Sequence, residues 1–163
     1  MKDLKSLFNS FVYAFKGIFW MLTHERNFRV HITCLVYMFY YLLRYDFFTV
    51  TRTDFAILLL ASGLVIGGEM LNTGIEKADD SVSKEKRKTI AISKDVSAGA
   101  VLVFAVFAVL CGVSILFQPE AFEALFNHYV QAPINILWFV LSVAVATLFI
   151  FKFDAKKKEL LSL

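Results

Sequence analysis

The sequence predicts an all-α integral membrane protein, and three observations carry that prediction. Of 163 residues, 58% are hydrophobic and 18 are phenylalanine, with a mean hydropathy of +0.64. A soluble domain of this size has too little interior to hide so much apolar surface. The apolar residues fall in uninterrupted runs long enough to cross a hydrocarbon layer. The basic residues sit in blocks beside those runs, which suits a membrane surface or a polyanionic ligand. No recognition fold for nucleic acid is visible, and the net charge is only +3.

The first element is amphipathic. Leu4, Leu7, Phe8, Phe11, Phe15, Ile18, Phe19 and Leu22 repeat at helical spacing over 3–23, while Lys2, Lys5, Asn9, Ser10, Tyr13 and Lys16 lie largely on other faces. This predicts a surface helix in the membrane interface, or one packed on the bundle by the same stripe. Lys16 interrupts the apolar character and no small-residue cleavage site follows, so the segment does not read as a secretory signal. A polar segment, THERNFRVH (23–31), precedes a first span at about 30–48, with Arg44 able to snorkel at its far end.

A short link leads to the second span, about 55–76, for which Thr53 or Asp54 is the expected N-cap. The charged segment 77–95 reads as a loop. The third span covers about 96–117 and is ended by Gln118 and Pro119. Residues 119–132, which hold Glu120 and Glu123 but no Lys or Arg, read as an extra-cytoplasmic loop. A fourth apolar run, 133–151, is long enough to span, and a basic tail closes the chain. No internal repeat is present. The chain therefore divides into a core at 1–118 and an addition at 119–163. Cys34 and Cys111 have no metal-ligand spacing and read as small buried hydrophobes.

Lysines and arginines crowd the N-terminal segment, the 77–94 stretch and the tail after Lys152, whereas the second outer loop has none. By the positive-inside rule all three lie in the cytoplasm.

The informative stretch is 65–80, VIGGEMLNTGIEKADD. Glu69, Asn72, Thr73, Glu76 and Asp80 fall at i, i+3, i+4, i+7 and i+11, on one stripe of a helix. A charged side chain within a membrane helix costs roughly 2.5–3.5 kcal/mol even on lenient insertion scales, which asks for a function. Glu76 falls about 33 Å of helix rise beyond Asp54, and Glu69 about 10 Å deeper. Topology brings Glu25, Arg29, Glu69, Asn72, Glu76, Asp80, Lys94 and Asp95 to one membrane face. Two carboxylates can hold Mg²⁺ against substrate phosphates. Lys77, Lys84, Lys86, Arg87, Lys88 and Lys94 can meet phosphate charge, and a deeper glutamate can take a proton from a hydroxyl at headgroup level. These are the parts of a phosphoryl-transfer site.

Plainer readings exist for several of these residues. Glu25 and Arg29 are spaced as a helix ion pair, and Tyr13 and Lys16 as interface anchors. Asp79 faces elsewhere and reads as solvated. Gly67, Gly68 and Gly74 read as helix-packing positions, and His24, His31 and His128 as structural. Neither a P-loop nor a protein-kinase signature is present.

Lys16–Gly17, ERNFRVH (25–31), GEMLNTGIEKADD (68–80) and SKDVSAGAVL (93–102) together resemble the prokaryotic diacylglycerol kinase family, small membrane kinases that include the undecaprenol kinases. The resemblance covers roughly residues 8–118. It implies a surface helix and three transmembrane helices, a homotrimer with active sites shared between subunits, and ATP·Mg²⁺ as donor. It makes Glu69 the general base at the lipid hydroxyl, and Glu25 and Glu76 the metal ligands that contact nucleotide through the ion. Asn72, Asp80, Lys94 and Asp95 fall on other polar active-site positions, alongside Lys16 and Arg29. Tyr13 matches a nucleotide-contacting tyrosine, and Glu85, Lys86 and Arg87 align with a nucleotide-contacting stretch of different composition. E-R-N-F-R-x-H is similar to the Gram-positive type, which implies undecaprenol as acceptor, with diacylglycerol the alternative. The span at 133–151 is an addition to the family core. A reading of another class, a small transporter using Glu69 as an ion site, expects polar residues near the midplane and repeats, and neither is present.

Overall fold

The computed structural model describes residues 2–82 and 88–161, with side chains described for 6–81 and 88–151. Every element among them is a helix: α1 (Lys2–His24), α2 (Arg26–Arg44), α3 (Arg52–Val82), α4 (Lys88–Leu116), α5 (Pro119–Gln131) and α6 (Pro133–Leu161). The all-α expectation holds. The long helices lie in the order α4, α3, α2, α6, with α3 and α4 sharing the most extensive contact. Helix α1 lies against α2 and α6, and α5 lies on α6.

Among the described residues three helices are long and apolar enough to cross a membrane, at Arg52–Ser81, Lys88–Leu116 and Pro133–Phe151. They contain the expected spans at 55–76 and 133–151, and that at 96–117 except for Phe117, which follows the end of α4. The expected first span is shifted: α2 covers Arg26–Arg44, so the helix starts earlier than 30 and stops before 48. The early arginines and asparagine place α2 outside that apolar set. Among the described residues the buried hydrophobic side chains are Met21, Phe28, Leu58, Val65 and Ala121. Most apolar side chains of α4 and α6 face outward, as lipid-solvated surfaces do. Phe8, Phe15 and Phe19 of α1 are likewise exposed, which leaves its apolar stripe available to a membrane interface.

Several junctions differ from expectation. The polar segment 23–31 is almost wholly helical: α1 runs to His24 and α2 starts at Arg26, with Glu25 between them in extended conformation. The cap of α3 is Thr51, not Thr53 or Asp54. The Thr51 hydroxyl donates to Asp54 Oδ2 at 2.6 Å and accepts the Asp54 N–H at 3.2 Å, and Asp54 also accepts the Thr51 N–H at 3.0 Å. That is a capping box one turn earlier than the apolar run implies. The expected loop at 119–132 folds as α5, since Pro119 fits the first helical position and Ala121 is buried. Gln118 binds the link before α3, donating to the Thr49 carbonyl and accepting its N–H, both at 3.0 Å. Cys34 is exposed and Cys111 half-buried, so neither is a buried core residue.

Helix α6 is fastened to α2. The Tyr37 hydroxyl donates to Ser142 Oγ at 2.8 Å, and Tyr41 bonds Tyr129 of α5. Arg29, fully buried, donates from Nε to the Ile150 carbonyl at 3.0 Å and from a terminal nitrogen to the Leu22 carbonyl at 3.4 Å. The added helix thus lies directly on α2.

Of the glycines expected to permit close packing, only Gly68 has a neighbour that a Cβ would crowd. A Cβ there would lie 2.7 Å from Cδ2 of Phe104, whereas Gly67 and Gly74 have open space. Gly68→Ala is therefore expected to destabilise the α3–α4 pair by about 1–3 kcal/mol through overpacking. Thermal unfolding in detergent would measure the loss, and it should shrink in a Phe104→Ala background, because the two sites are coupled.

Candidate active site

The stripe on α3 forms as its spacing implies. Glu69 is 5% exposed and Thr73 6%, while Leu71 on the opposite face is 69% exposed. The buried edge faces α4 and the start of α2. Asn72 donates from Nδ2 to Glu76 Oε1 at 3.0 Å, one helical turn apart. Its Oδ1 accepts the hydroxyl of Ser97 on α4 at 2.7 Å. A carboxylate can only accept, so Glu76 fixes which end of the amide faces it. The result is a chain from Ser97 through Asn72 to Glu76.

Lys94, one turn before Ser97, donates to Asp80 Oδ1 at 2.5 Å. Asp79 and Glu76 also act on its charge. The side chains of Lys94 and Asp80 are 34% and 60% exposed, so this pair contributes little to folding. It leaves an ammonium close to the outer glutamate of the stripe. Asp79 is not simply solvated: its Oδ2 is buried with no hydrogen-bond partner among the described residues.

Glu69 lies deeper. The groups that act on its carboxylate are Asn27, through its side chain, and the charged or titratable His31, Glu25 and Glu76. The beginning of α2 thus meets α3 at Glu69. Glu25 precedes α2 as its N-cap residue but makes no side-chain capping bond. Its carboxylate is not committed to the helix end.

The donor set suits a metal carried by a nucleotide better than a resident ion. Among the described residues no group of three or more His, Cys, Asp and Glu side chains could hold a metal. Glu25 and Glu76 both act on Glu69, however, and Mg²⁺ typically takes one or two carboxylates plus phosphate oxygens. The residues present fit that limited role.

Not every candidate joins this cluster. Tyr13 and Lys16 are exposed on α1, where the Lys16 ammonium lies 5.6 Å from the Tyr13 ring centroid. Helix α1 is tied nearer the site by Lys77, whose ammonium lies 5.5 Å from the Trp20 ring centroid. Arg29 turns to the carbonyls of Leu22 and Ile150, and Asp95 is exposed beside Lys94. Lys84, Glu85, Lys86 and Arg87 lie outside the described residues. Conversely, Asn27, His31 and Ser97 were not among the expected site residues. Asn27 and His31 are four apart, which sets them on one face of α2, and Ser97 is three from Lys94; these spacings were the available signals.

Comparison with known proteins now bears on the cluster. The prokaryotic diacylglycerol kinase family matches residues 12–116, a range that holds α2, α3 and α4 entire. The chain belongs to the prokaryotic diacylglycerol kinase family. It is 32% identical over 120 residues to the undecaprenol kinase of Bacillus subtilis, covering 72% of this chain and 93% of that one. It is 36% identical over 115 residues to the diacylglycerol kinase of Synechocystis sp., covering 70% of this chain and 64% of that one. No solved structure matches. The protein is a lipid kinase of the membrane, and its family implies a lipid acceptor and ATP. The matched range stops at the end of α4, so α5 and α6 are this kinase's addition to the shared core.

Proposed function

We propose that the kinase phosphorylates undecaprenol to undecaprenyl phosphate at the cytoplasmic face of a bacterial inner membrane, with ATP·Mg²⁺ as donor. The observation that carries this reading is a buried Glu69 two turns below Glu76, with Glu25 and Glu76 both acting on it. A water-borne donor meets the outer carboxylates, and a membrane-borne hydroxyl meets the inner one. The undecaprenol kinase relative, matched over 93% of its length, supports the acceptor.

In the reaction Glu69 accepts the proton of the lipid hydroxyl as its oxygen forms a bond to the γ-phosphorus. The bond from that phosphorus to the bridging oxygen breaks, and ADP leaves. Glu25 and Glu76 would hold Mg²⁺, which when bound supplies charge neutralisation at the phosphates. Lys94, held by Asp80, adds positive charge at the same end. Asn72, oriented by Ser97, keeps the Glu76 carboxylate in place. We assign the remaining nucleotide contacts to Tyr13, Lys16, Asp95 and the stretch Glu85, Lys86 and Arg87. The termini and the 77–95 stretch are cytoplasmic in this reading, α2 crosses with α3 and α4, and three copies assemble with shared sites.

The diacylglycerol kinase relative, at 36% identity, favours the alternative acceptor, with phosphatidic acid as product. Purified protein in mixed micelles, given undecaprenol and diacylglycerol together with labelled ATP, separates the two. Labelling chiefly on undecaprenol is expected; preferential labelling of diacylglycerol would reverse the substrate assignment.

A further inference from the structure

Burial is scarce in this chain, and much of it gathers at the corner between α1 and α2. Met21, Phe28 and Arg29 are each at most 4% exposed, and Phe28 and Arg29 are the largest fully enclosed side chains among the described residues. Glu25 stands in that corner, with φ −109° and ψ 114°. Both of its backbone groups are held. Its N–H donates to the Met21 carbonyl at 2.9 Å, and its carbonyl accepts the Arg29 N–H at 3.3 Å. The Arg29 side chain then reaches back past Glu25 and donates to the Leu22 carbonyl at 3.4 Å. Leu22 lies in the last turn of α1, where carbonyls point out of the helix and a cation is favoured. One guanidinium thus closes residues 22–29 into a ring, with Glu25 along it.

The same guanidinium has a second anchor, outside the range this chain shares with its family. Its Nε donates to the Ile150 carbonyl at 3.0 Å. Ile150 lies inside α6, and a carbonyl oxygen within a helix keeps a second lone pair for such a donor. Its neighbour Phe149 lines the groove between α2 and α6, with Ile32 and Thr33 on the α2 side. A guanidinium stays charged in an apolar interior, and its burial is costly unless its donors are met. Helices α1 and α6 each supply an oxygen to Arg29, so its place is fixed relative to both.

We infer that Arg29 is a positioning residue for Glu25, and that the added helix α6 acts through it, bracing the corner that aims the metal-binding carboxylate. The inference rests on the kinase reading above, in which Glu25 holds Mg²⁺, and adds what holds Glu25. Glu25 makes no side-chain capping bond, so the backbone of the corner is what directs its carboxylate. Arg29 is itself turned to carbonyls, and therefore acts through Glu25 rather than on the nucleotide. The planar fork of a guanidinium sends its donors in fixed directions, which lets one side chain on α2 address two other helices at once. An ammonium, as a point charge, does this less well.

The test uses the full chain in detergent. Calorimetry measures binding of a non-hydrolysable ATP analogue with Mg²⁺ and with EDTA, beside steady-state kinetics on undecaprenol. Arg29→Gln should weaken the Mg²⁺-dependent binding by roughly 10- to 100-fold, the usual cost of removing a group that orients a metal ligand. Binding in EDTA and the KM for the lipid should stay unchanged. Arg29→Lys, which keeps a charged donor, should recover part of the loss. Glu25→Gln should reproduce the loss, and adding Arg29→Gln to it should cost nothing further, since both act on one contact. Phe149→Ala, which loosens α6 beside Ile150, should weaken the same binding several-fold in the unaltered protein and not in Arg29→Gln. If Glu25→Gln leaves Mg²⁺-dependent binding intact, the metal-site reading itself fails, and the inference with it. If Glu25→Gln loses that binding while Arg29→Gln and Arg29→Lys keep it, only the positioning role is overturned. Equal loss with Mg²⁺ and with EDTA, or a matching rise in the lipid KM, would reduce Arg29 to a structural role. A Phe149→Ala effect that adds to that of Arg29→Gln would overturn the part given to α6. Should Arg29→Gln not fold, Arg29→Lys and Phe149→Ala give the same readings.

Discussion

Glu69→Gln is expected to leave a folded protein that has lost nearly all phosphotransfer. The carboxylate is 5% exposed, and the amide is nearly isosteric, so packing against α2 and α4 should survive. What disappears is the proton acceptor, whose contribution as a general base is typically ~100- to 10,000-fold in rate. The measurement is single-turnover transfer of labelled γ-phosphate to extracted lipid, with thermal unfolding in detergent as a fold control. Turnover near that of the unaltered kinase would remove Glu69 from the role of base. The KM for ATP is the second readout, because the nucleotide is assigned to Glu76 and Glu25, toward the outer end of the stripe. It should change little.

Glu76→Gln tests the other end. Glutamine still presents an Oε1 to the Asn72 amide, so the chain from Ser97 through Asn72 is preserved while one negative charge is removed. The magnesium concentration needed for half-maximal activity should rise roughly 10- to 100-fold, the equivalent of losing one charged hydrogen-bonding contact. Titrating Mg²⁺ at fixed ATP measures this directly. An unchanged titration would remove Glu76 as a ligand. Glu76→Ala should be worse than Glu76→Gln, since it also frees the Asn72 amide, and the difference between them reports the orienting role of that hydrogen bond.

Much of this architecture was readable because it depends on local repeats. Apolar runs of spanning length gave three of the helices, and the i, i+3, i+4, i+7 spacing gave the stripe on which Glu69 and Thr73 are buried and Glu76 is half-buried. The errors lie at ends and junctions. Thr51 was overlooked as a cap because the helix begins before its apolar run does. The 119–132 stretch lacks the length of a span, yet folds as α5 by packing on α6. Such outcomes depend on neighbours that local pattern does not contain.

The site divides in the same way. Carboxylates on one helix announce themselves by spacing, and topology brings Glu25 to the same membrane face, its metal-ligand role being what the family resemblance implies. Ser97, Asn27 and His31 are ordinary polar residues whose significance comes from what stands opposite them. Ser97 matters because α4 packs on α3 in a register that sets it 2.7 Å from Asn72. Arg29 illustrates the converse: its spacing from Glu25 suggested an ion pair, and its guanidinium instead meets a carbonyl 121 positions later in the chain.

The sequence alone determined that this protein is a helical membrane kinase of its family and that its polar residues gather on one stripe of α3. Those properties follow from hydrophobic period, run length and motif, each contained within a few turns of chain. Tertiary structure decided which residues complete the stripe, that Gly68 alone among the packing candidates faces a crowding side chain, and that the added α6 lies on α2. These are set by the register of one helix against another, and that register is a property of the whole packed surface.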